Sequence, residues 1–273
     1  MEKAYVGEGK VELLAGGGKV YTDLAARFVR SERNLDDILA SSYSKKLVKK
    51  IIESGHEAAV EFDFFIFAVE GYARVTEVQL VRKRLASYMI KSGRADKDGK
   101  RSFDIVIPDN IENFKGEVSI NIENLSLANG KSLGEYLPEE IKKVIYTYNS
   151  DDILNLIENW YDQGVANDIP EEDLRYLKPQ ATEFKALIGM NAHALRDWFR
   201  IRCCKNAQKE IRDMANKMLK LCKKTAPDIF EDAGPNCIRL GYCPENTMQH
   251  EDCRGKIITK NRAFEILKEH KGV

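Results

Sequence analysis

The sequence lacks an apolar run long enough to cross a bilayer. Its longest apolar segment, near residues 62–69, is far shorter than the roughly 20 residues that a membrane-spanning helix needs. The first ten residues contain acids and glycines but no apolar stretch typical of a secretion signal. We therefore expect a protein that does not enter the membrane and is located in the cytoplasm.

Net charge is also absent, because 43 Lys and Arg residues balance 43 Asp and Glu residues. A general nucleic-acid-binding protein would carry an excess of cations, so we expect no nucleic-acid partner. Only six residues are cysteines, and without a secretion signal they are expected to be reduced. Cys237, Cys243 and Cys253 lie near His250 in the sequence, but their spacing matches no common zinc pattern. We assign no metal ligand and leave zinc open as the less favoured alternative.

The periodicity of apolar residues predicts several elements. We expect a strand at residues 11–14, a helix from Val20, a buried strand at 60–69 and an amphipathic helix ending at Gly164. Two further strands are expected around residues 102–111 and 117–127, and a turn followed by a helix around 129–148. The strongest helical pattern covers residues 192–225, where apolar side chains recur every three or four positions.

One cation interrupts the apolar stripe of that last helix. Arg202 lies three residues after Phe199 and seven after Leu195, so the pattern places it on the buried face. A buried guanidinium without a partner costs on the order of several kcal/mol. A core carboxylate, a bound anion or a polar ligand would each satisfy it, and spacing alone favours none of these.

A second group of cations lies in the segment QLVRKRLASYMIKSGR, residues 79–94, which we predict to be helical. Its cations are Arg82, Lys83, Arg84, Lys91 and Arg94. In a chain without net charge, such a local cluster indicates a site for a small anion; a solvated helix face is the alternative.

Several motifs in this order resemble those of the flavin-dependent thymidylate synthases, the ThyX family. RKRLAS followed by SGR resembles the family's Arg-His-Arg-x-x-Ser and Ser-x-Arg, and GHEAAVEF resembles its Gly-His-Glu-x-Pro-x-Glu-His. LRYLKP, around Arg175, and NAHALRDWFRIRCCKNAQKEIR, around Arg202, resemble two later motifs. The similarity covers about three quarters of the chain.

The resemblance implies an α/β (α+β) single domain with a mixed or antiparallel sheet and long helices. It implies methylation of dUMP to dTMP, with FAD as cofactor and NADPH and methylenetetrahydrofolate as co-substrates. It further implies a homotetramer with active sites at subunit interfaces. We expect the catalytic domain to cover residues 1–235 and a cysteine-containing extension to cover 236–273.

The resemblance also assigns roles to residues. Ser92 and Arg202 are the expected catalytic residues, close to the pyrimidine. The expected dUMP-binding residues are Gln79, Ser92, Arg94, Arg175 and Arg202. The expected FAD-binding residues are Arg82, Lys83, Arg84, Asn191, Asp197 and Gln208.

Five positions depart from the family pattern. Lys83 and Phe62 replace histidines, and His193 replaces an arginine; the other two departures are Ile90 and Asp197. Two alternatives therefore stay open beside thymidylate synthesis. One is a paralogue that modifies another pyrimidine nucleotide, and the other is a non-catalytic nucleotide-binding homologue.

Overall fold

The computed structural model describes residues 3–17, 20–92, 103–122, 130–132, 135–138, 143–246 and 248–271. The chain divides into two compact units. We call Val6–Ser92 together with Glu183–Val273 the sheet unit, and Met1–Tyr5 together with Gly93–Thr182 the small unit.

Strands and helices of the described residues are numbered in chain order. The strands are β1 Lys3–Tyr5, β2 Lys10–Ala15, β3 Phe64–Ala73, β4 Ser87–Ile90, β5 Ile105–Ile107, β6 Gly116–Asn121, β7 Lys143–Tyr148 and β8 Glu183–Asn191. The α-helices are α1 Val20–Arg30, α2 Leu35–Leu39, α3 Lys45–Glu53, α4 Arg74–Leu80, α5 Asp109–Glu112, α6 Ser150–Ala166, α7 Glu171–Leu174, α8 Ala192–Arg202, α9 Lys209–Thr225, α10 Pro227–Phe230, α11 Asn236–Leu240 and α12 Lys260–Lys271.

The sheet unit is built on a four-stranded antiparallel sheet with the order β2-β3-β8-β4. β3 is central and rich in aromatic and β-branched residues, which favour a strand that is covered on one face. Phe65 and Phe67 of β3 are fully buried, whereas the intervening side chains are less buried. The predicted α/β class with an antiparallel sheet is confirmed.

Helices α8 and α9 contribute the apolar side chains that cover the buried face of this sheet. Phe199 of α8 and Met214 and Met218 of α9 belong to the same buried cluster as Phe67 and Ile188. This packing fixes the positions of the two helices, and it therefore fixes the polar side chains at their adjoining ends.

The small unit has its own core. β1 pairs with β5 in parallel, and β6 pairs with β7 antiparallel. Asn149 caps α6 by accepting hydrogen bonds from the backbone N–H groups of Asp151 and Asp152. Ile105, Leu154 and Leu174 are buried in a cluster that belongs to this unit.

Several predicted elements are confirmed. β2 covers the strand expected at residues 11–14, α1 begins at Val20, and α6 extends two residues beyond Gly164. The strands expected in residues 102–111 and 117–127 are present as β5 and β6. In the part of the chain that the structure describes, no helix is both long and apolar enough to span a bilayer.

The prediction of one helix over residues 192–225 is wrong. α8 ends at Arg202 and α9 begins at Lys209, with a turn between them. Arg212 donates hydrogen bonds to the backbone oxygens of Lys205 (2.6 Å) and Ala207 (3.1 Å), and Asn206 donates to the oxygen of Met248 (2.8 Å). These side-chain bonds stabilise the break, which apolar spacing alone does not reveal.

The prediction of a helix over the basic segment is also wrong. α4 ends at Leu80, a loop follows, and β4 begins at Ser87 and pairs with β8. The Tyr88 hydroxyl closes the loop by donating to the backbone oxygens of Leu80 (2.9 Å) and Lys83 (3.0 Å). Arg82, Lys83 and Arg84 therefore lie on a loop.

Two other predictions need correction. Residues 143–148 were expected in a helix but form β7, because Val, Ile, Tyr and Thr side chains favour the extended backbone. The strand expected from residue 60 begins at Phe64, because Glu57–Phe62 forms a 3₁₀ helix.

Candidate functional site

The Arg202 guanidinium lies at the end of α8, facing α4. Nη2 of Arg202 donates to the backbone oxygen of Gln79 at 2.9 Å, and Nη1 lies 3.4 Å from Oε1 of Gln79. Nε2 of Gln79 donates in turn to Oε1 of Gln208 at 2.8 Å. Hydrogen bonds thus join Gln79 and Arg202, which were expected to bind dUMP, to Gln208, which was expected to bind FAD. Arg202 is half-buried at a helix end and not on a continuous buried face.

A buried carboxyl group links the segments that carry Gln79 and Gln208. Glu210 in the first turn of α9 is 1% exposed, accepts from the Thr76 hydroxyl at 2.6 Å and accepts from the backbone N–H of Ala73 at 2.8 Å. Burial raises the pKa of Glu210, although these hydrogen bonds oppose the shift. The two bonds join α9 to α4 and to Ala73, the residue just before it, so they fix the distance between Gln208 and Gln79.

Arg202 and two arginines of the preceding basic segment lack carboxylate partners among the described residues. Within the described residues, Arg202 forms no ion pair, and Arg82 and Arg84 are exposed and form neither ion pairs nor hydrogen bonds. Burial and the positive charge of Arg82 lower the pKa of Arg202. We call Arg82, Arg84 and Arg202 the open cations, because no carboxylate of the described residues pairs with them. An anion bound beside Arg82 and Arg202 would relieve the repulsion between those two.

Burial raises the pKa of Tyr88 to about 12, although the nearby charge of Arg202 opposes the shift. The Tyr88 hydroxyl is therefore neutral at physiological pH and donates to the loop that carries Arg82 and Arg84. The tyrosine thus acts as a support for that loop and not as an anionic partner of Arg202.

A different arrangement surrounds the other arginines of α8. Glu57 accepts from Nη2 of Arg200 at 2.8 Å and lies 3.4 Å from Nη2 of Arg196. Asp232 pairs with Arg196 at 2.7 Å, and Arg196 also donates to the backbone oxygen of Ile229. We call Glu57, Arg196, Arg200 and Asp232 the Glu57 cluster.

The charges of the Glu57 cluster are internally matched. The Arg196 side chain is 3% exposed. Burial alone would lower its pKa, but the hydrogen bonds and charges of Asp232 and Glu57 raise it. Arg196 also lowers the pKa of Asp232 against the effect of burial. This cluster therefore pairs two arginines with two carboxylates, although the buried Nε of Arg196 has no hydrogen-bond partner among the described residues.

Lys83 and His193, two positions that depart from the family pattern, pair with nearby carboxylates. Lys83 forms an ion pair with Asp197, so two departures contact each other. Nδ1 of His193 lies 2.9 Å from Oε1 of Glu61, and Nε2 lies 3.6 Å from Oε2 of Glu57. Lys83 is consequently already neutralised, unlike Arg82 and Arg84.

Other predicted site residues lie elsewhere or outside the description. Oδ1 of Asn191 caps α8 by accepting from the backbone N–H of Ala194 at 2.7 Å. Ser92 is exposed just after β4. Nε of Arg175 donates to the backbone oxygen of Glu172 at 3.2 Å in the small unit. Arg94 lies outside the described residues.

A cleft of about 230 Å³ lies beside the end of α8. Arg200, Arg202 and Asn206 line it from the helix and the following turn, and Pro235 and Glu245 line it from the C-terminal segment. The cleft gives a ligand access to the side of Arg202, so the guanidinium is not sealed within the protein.

Sequence reasoning missed the Glu57 cluster. Arg196 and Arg200 are four residues apart, a spacing that puts them on the same face of α8 and could have drawn attention to them. Their partner Asp232 lies 36 residues after Arg196, and only the fold brings the two together. Helical spacing therefore detects the pair of cations but not the carboxylates that neutralise them.

The sequence of this chain matches a known protein family. The family model described as thymidylate synthase complementing protein matches residues 18–228, well over half of the chain. The chain belongs to the thymidylate synthase complementing protein family. The resemblance inferred from the motifs is thereby confirmed.

Curated members of this family are similar over most of the chain. The flavin-dependent thymidylate synthase of Clostridium tetani is 36% identical over 215 residues, which cover 77% of this chain and 78% of the relative. That of Nitratidesulfovibrio vulgaris is 37% identical over 198 residues, covering 72% and 71% of the two chains.

A solved structure shares the fold. The UMP/dUMP methylase PolB from Streptomyces cacaoi, bound with 5-Br dUMP, superposes with a TM-score of 0.61. The superposition covers 85% of this chain and 96% of PolB, at 18% identity. At that identity the similarity supports the fold assignment alone.

Proposed function

We propose that this protein is a flavin-dependent thymidylate synthase that methylates dUMP to dTMP. The observation that carries the proposal is the Arg202 guanidinium, which is held by Gln79 but paired with no carboxylate of the described residues. Family membership and the names of the curated relatives support the same reaction.

In this proposal, Arg202 binds the uracil ring. A guanidinium presents several N–H donors in a rigid plane, and Gln79 fixes that plane through two contacts. Donors aimed at a uracil oxygen would stabilise the negative charge that develops there as C5 becomes nucleophilic. Gln79 and Gln208 position Arg202, and Ser92 would lie close to the pyrimidine.

The open cations fit a flavin dinucleotide. Arg82 and Arg84 are exposed on a short loop and have no protein partner among the described residues, as phosphate-binding guanidiniums require. The flavin would supply hydride chemistry. We propose that Arg82, Arg84, Asn191 and Gln208 line its site, that NADPH reduces it, and that methylenetetrahydrofolate gives the carbon.

Lys83 and Asp197 are proposed to contribute to the flavin site as an ion pair. Because each neutralises the other, we expect them to shape the flavin side of the pocket without adding net charge. Arg94 and Arg175 are proposed to bind the nucleotide phosphate.

We further propose that the protein acts as a homotetramer with active sites at subunit interfaces. The outward face of the sheet supports association, because Leu14, Met89 and Leu187 are 58%, 73% and 44% exposed on it and line one groove. Apolar side chains grouped in this way are typical of protein–protein contacts. Light scattering of the purified protein should give the mass of four chains; a monomer would contradict the assembly.

The function is tested by rescue of a thymidine auxotroph and by spectroscopy of the purified protein. The wild-type chain should restore growth without thymidine, whereas Arg202→Ala should not. The purified protein should be yellow, should bleach with NADPH, and should convert dUMP to dTMP when methylenetetrahydrofolate is added. A folded, flavin-loaded protein that methylates UMP but not dUMP would overturn the assigned substrate, and one that binds no flavin would overturn the proposed reaction.

A further inference from the structure

Lys83 anchors the loop that follows α4. Its backbone N–H donates to the oxygen of Leu80 at 3.3 Å, and its backbone oxygen accepts from the Tyr88 hydroxyl at 3.0 Å. Its side chain forms an ion pair with Asp197, in the middle of α8. The residue is therefore held at its backbone by the end of α4 and by β4, and at its ammonium group by α8.

The residues on either side of Lys83 differ from it in exposure. The Lys83 side chain is 18% exposed, whereas Arg82 and Arg84 are exposed and pair with no carboxylate of the described residues. The loop thus alternates a tethered cation with two untethered ones. A tether at the central residue fixes the backbone from which both guanidiniums extend.

Asp197 lies on a well-packed helix. Leu195 and Phe199, on either side of it in α8, are fully buried in the main apolar cluster. Asp197 is also 4.0 Å from Nη1 of Arg200, and Glu57 accepts from Nη2 of Arg200 at 2.8 Å. The ion pair therefore joins the loop to a helix that the core holds in position.

Both members of this pair depart from the family pattern, so the contact is a feature of this chain that the family comparison does not assign. The resemblance counted Lys83 among the FAD-binding residues. Asp197 already neutralises its ammonium group, however, and the side chain is less accessible than the neighbouring guanidiniums. A phosphate group would therefore find unpaired cations at Arg82 and Arg84, and Lys83 is better placed to hold the loop than to bind the ligand.

We propose that the ion pair between Lys83 and Asp197 is a latch that positions residues 81–86, so that Arg82 and Arg84 present their guanidiniums to the flavin dinucleotide. Lys83 and Asp197 are then positioning residues, which act through the two arginines. A loop that is already ordered loses less conformational entropy when the cofactor binds, so the latch strengthens binding without touching the cofactor. This inference rests on the proposed flavin site and adds how the chain arranges it.

Trypsin digestion of the flavin-free, full-length protein tests the latch without the cofactor. Trypsin cleaves after Arg82, Lys83 and Arg84, and its rate at a loop follows the fraction of molecules in which that loop is open. Asp197→Asn keeps every cleavage site but removes the carboxylate. Cleavage at these three sites, followed by mass spectrometry, should therefore become about threefold faster, as expected for the loss of a partly exposed ion pair. An unchanged rate would overturn the latch.

The affinity for FAD separates a positioning role from direct contact. If Lys83 is part of a latch, Asp197→Asn should raise the Kd for FAD by about threefold, because the loop must then be ordered on binding. If Lys83 binds a flavin phosphate instead, loss of the competing carboxylate would release a cation and lower the Kd. A lower or unchanged Kd would overturn the positioning role. Wild-type protein that binds no FAD would overturn the flavin site itself, and this role with it.

Two further variants serve as controls, and circular dichroism verifies that each is folded. Asp197→Glu keeps a carboxylate near Lys83 and should show the wild-type cleavage rate and Kd. Asp252→Asn removes the carboxylate from another exposed ion pair of the sheet unit, in which Lys205 lies 3.2 Å from Asp252, and should also leave both values unchanged. If Asp252→Asn altered them as much as Asp197→Asn, the effect would be one of general charge and the latch would be contradicted.

Discussion

One of the open cations, Arg202, and both arginines of the Glu57 cluster lie on α8, yet the two groups differ in how their charges are balanced. Arg196 and Arg200 contact Glu57, and Arg196 also contacts Asp232. Arg202, at the end of the same helix, forms hydrogen bonds with the neutral side chain and backbone of Gln79 and with no carboxylate of the described residues. The two arginines also differ in burial. Arg196, which is paired with carboxylates, is buried, whereas Arg202 is half-buried beside a cleft.

This difference indicates what each group does. Arginines whose carboxylate partners come from the protein stabilise the fold, since removal of a partner leaves a charge that water cannot fully solvate. Arginines held in place by neutral groups keep their charge available for a ligand. The comparison therefore predicts that mutations in the two groups change different properties.

The largest effect is expected at Arg202. Arg202→Ala should lower kcat/KM for dUMP by about 100- to 1,000-fold, because one oriented donor to a developing negative charge is lost. Steady-state kinetics measure this effect. The midpoint of urea unfolding should change little, and a strongly destabilised protein with normal turnover per folded molecule would contradict the assignment.

Glu57 should show the opposite pattern. Glu57→Ala leaves Arg200 only the more distant carboxylate of Asp197, at 4.0 Å, among the described residues, and it removes one carboxylate from Arg196. We therefore expect the free energy of unfolding to fall by about 3 kcal/mol. Urea denaturation followed by circular dichroism measures the loss. If activity per folded molecule fell as far as in Arg202→Ala while stability stayed constant, the two groups would not be distinct.

A smaller effect is expected on the exposed loop. Arg82→Ala should weaken FAD binding by about tenfold through loss of one phosphate contact, and should change stability by less than about 0.5 kcal/mol. Flavin fluorescence titrations measure the affinity. The matched control is Arg30→Ala, which removes an exposed cation from α1. Equal weakening in both variants would show a general charge effect only.

Glu210 should make the stability of the protein depend on pH, which sharpens the comparison. Because its pKa is raised in the folded protein above the ordinary value of 4.5, the folded state binds more protons than the unfolded state above about that pH. The stability of the wild-type protein should therefore decrease, relative to that of Glu210→Gln, as pH rises from 4.5 through the raised pKa. Urea unfolding of both proteins at several pH values measures the difference. A constant difference would contradict the raised pKa.

The sequence pointed to site residues that hydrogen bonds join in the structure, but it misplaced the backbone elements that carry them. Motif order was sufficient to relate Gln79, Arg202 and Gln208, which hydrogen bonds join in the structure. Helical periodicity missed the break after Arg202, because Lys209 resumes a helix with apolar residues at nearly the same spacing. The loop at residues 81–86 was missed because Tyr88 stabilises it from the following strand.

The sequence alone could not predict which cations pair with carboxylates. The partner of Arg196 is Asp232, and that of Lys83 is Asp197, 114 residues away. Only the packing of the helices on the sheet decides which cations find carboxylates. The expected division at residue 235, the tetramer and the roles of Ser92, Arg94 and Arg175 stay predictions.

The most direct test of the account is calorimetric titration of dUMP into wild-type protein, Arg202→Ala and Glu57→Ala under one set of conditions. The account predicts that Arg202→Ala loses at least tenfold in affinity, whereas Glu57→Ala retains the wild-type Kd per folded molecule. A wild-type Kd for dUMP in Arg202→Ala would contradict the claim that the Arg202 guanidinium binds the nucleotide.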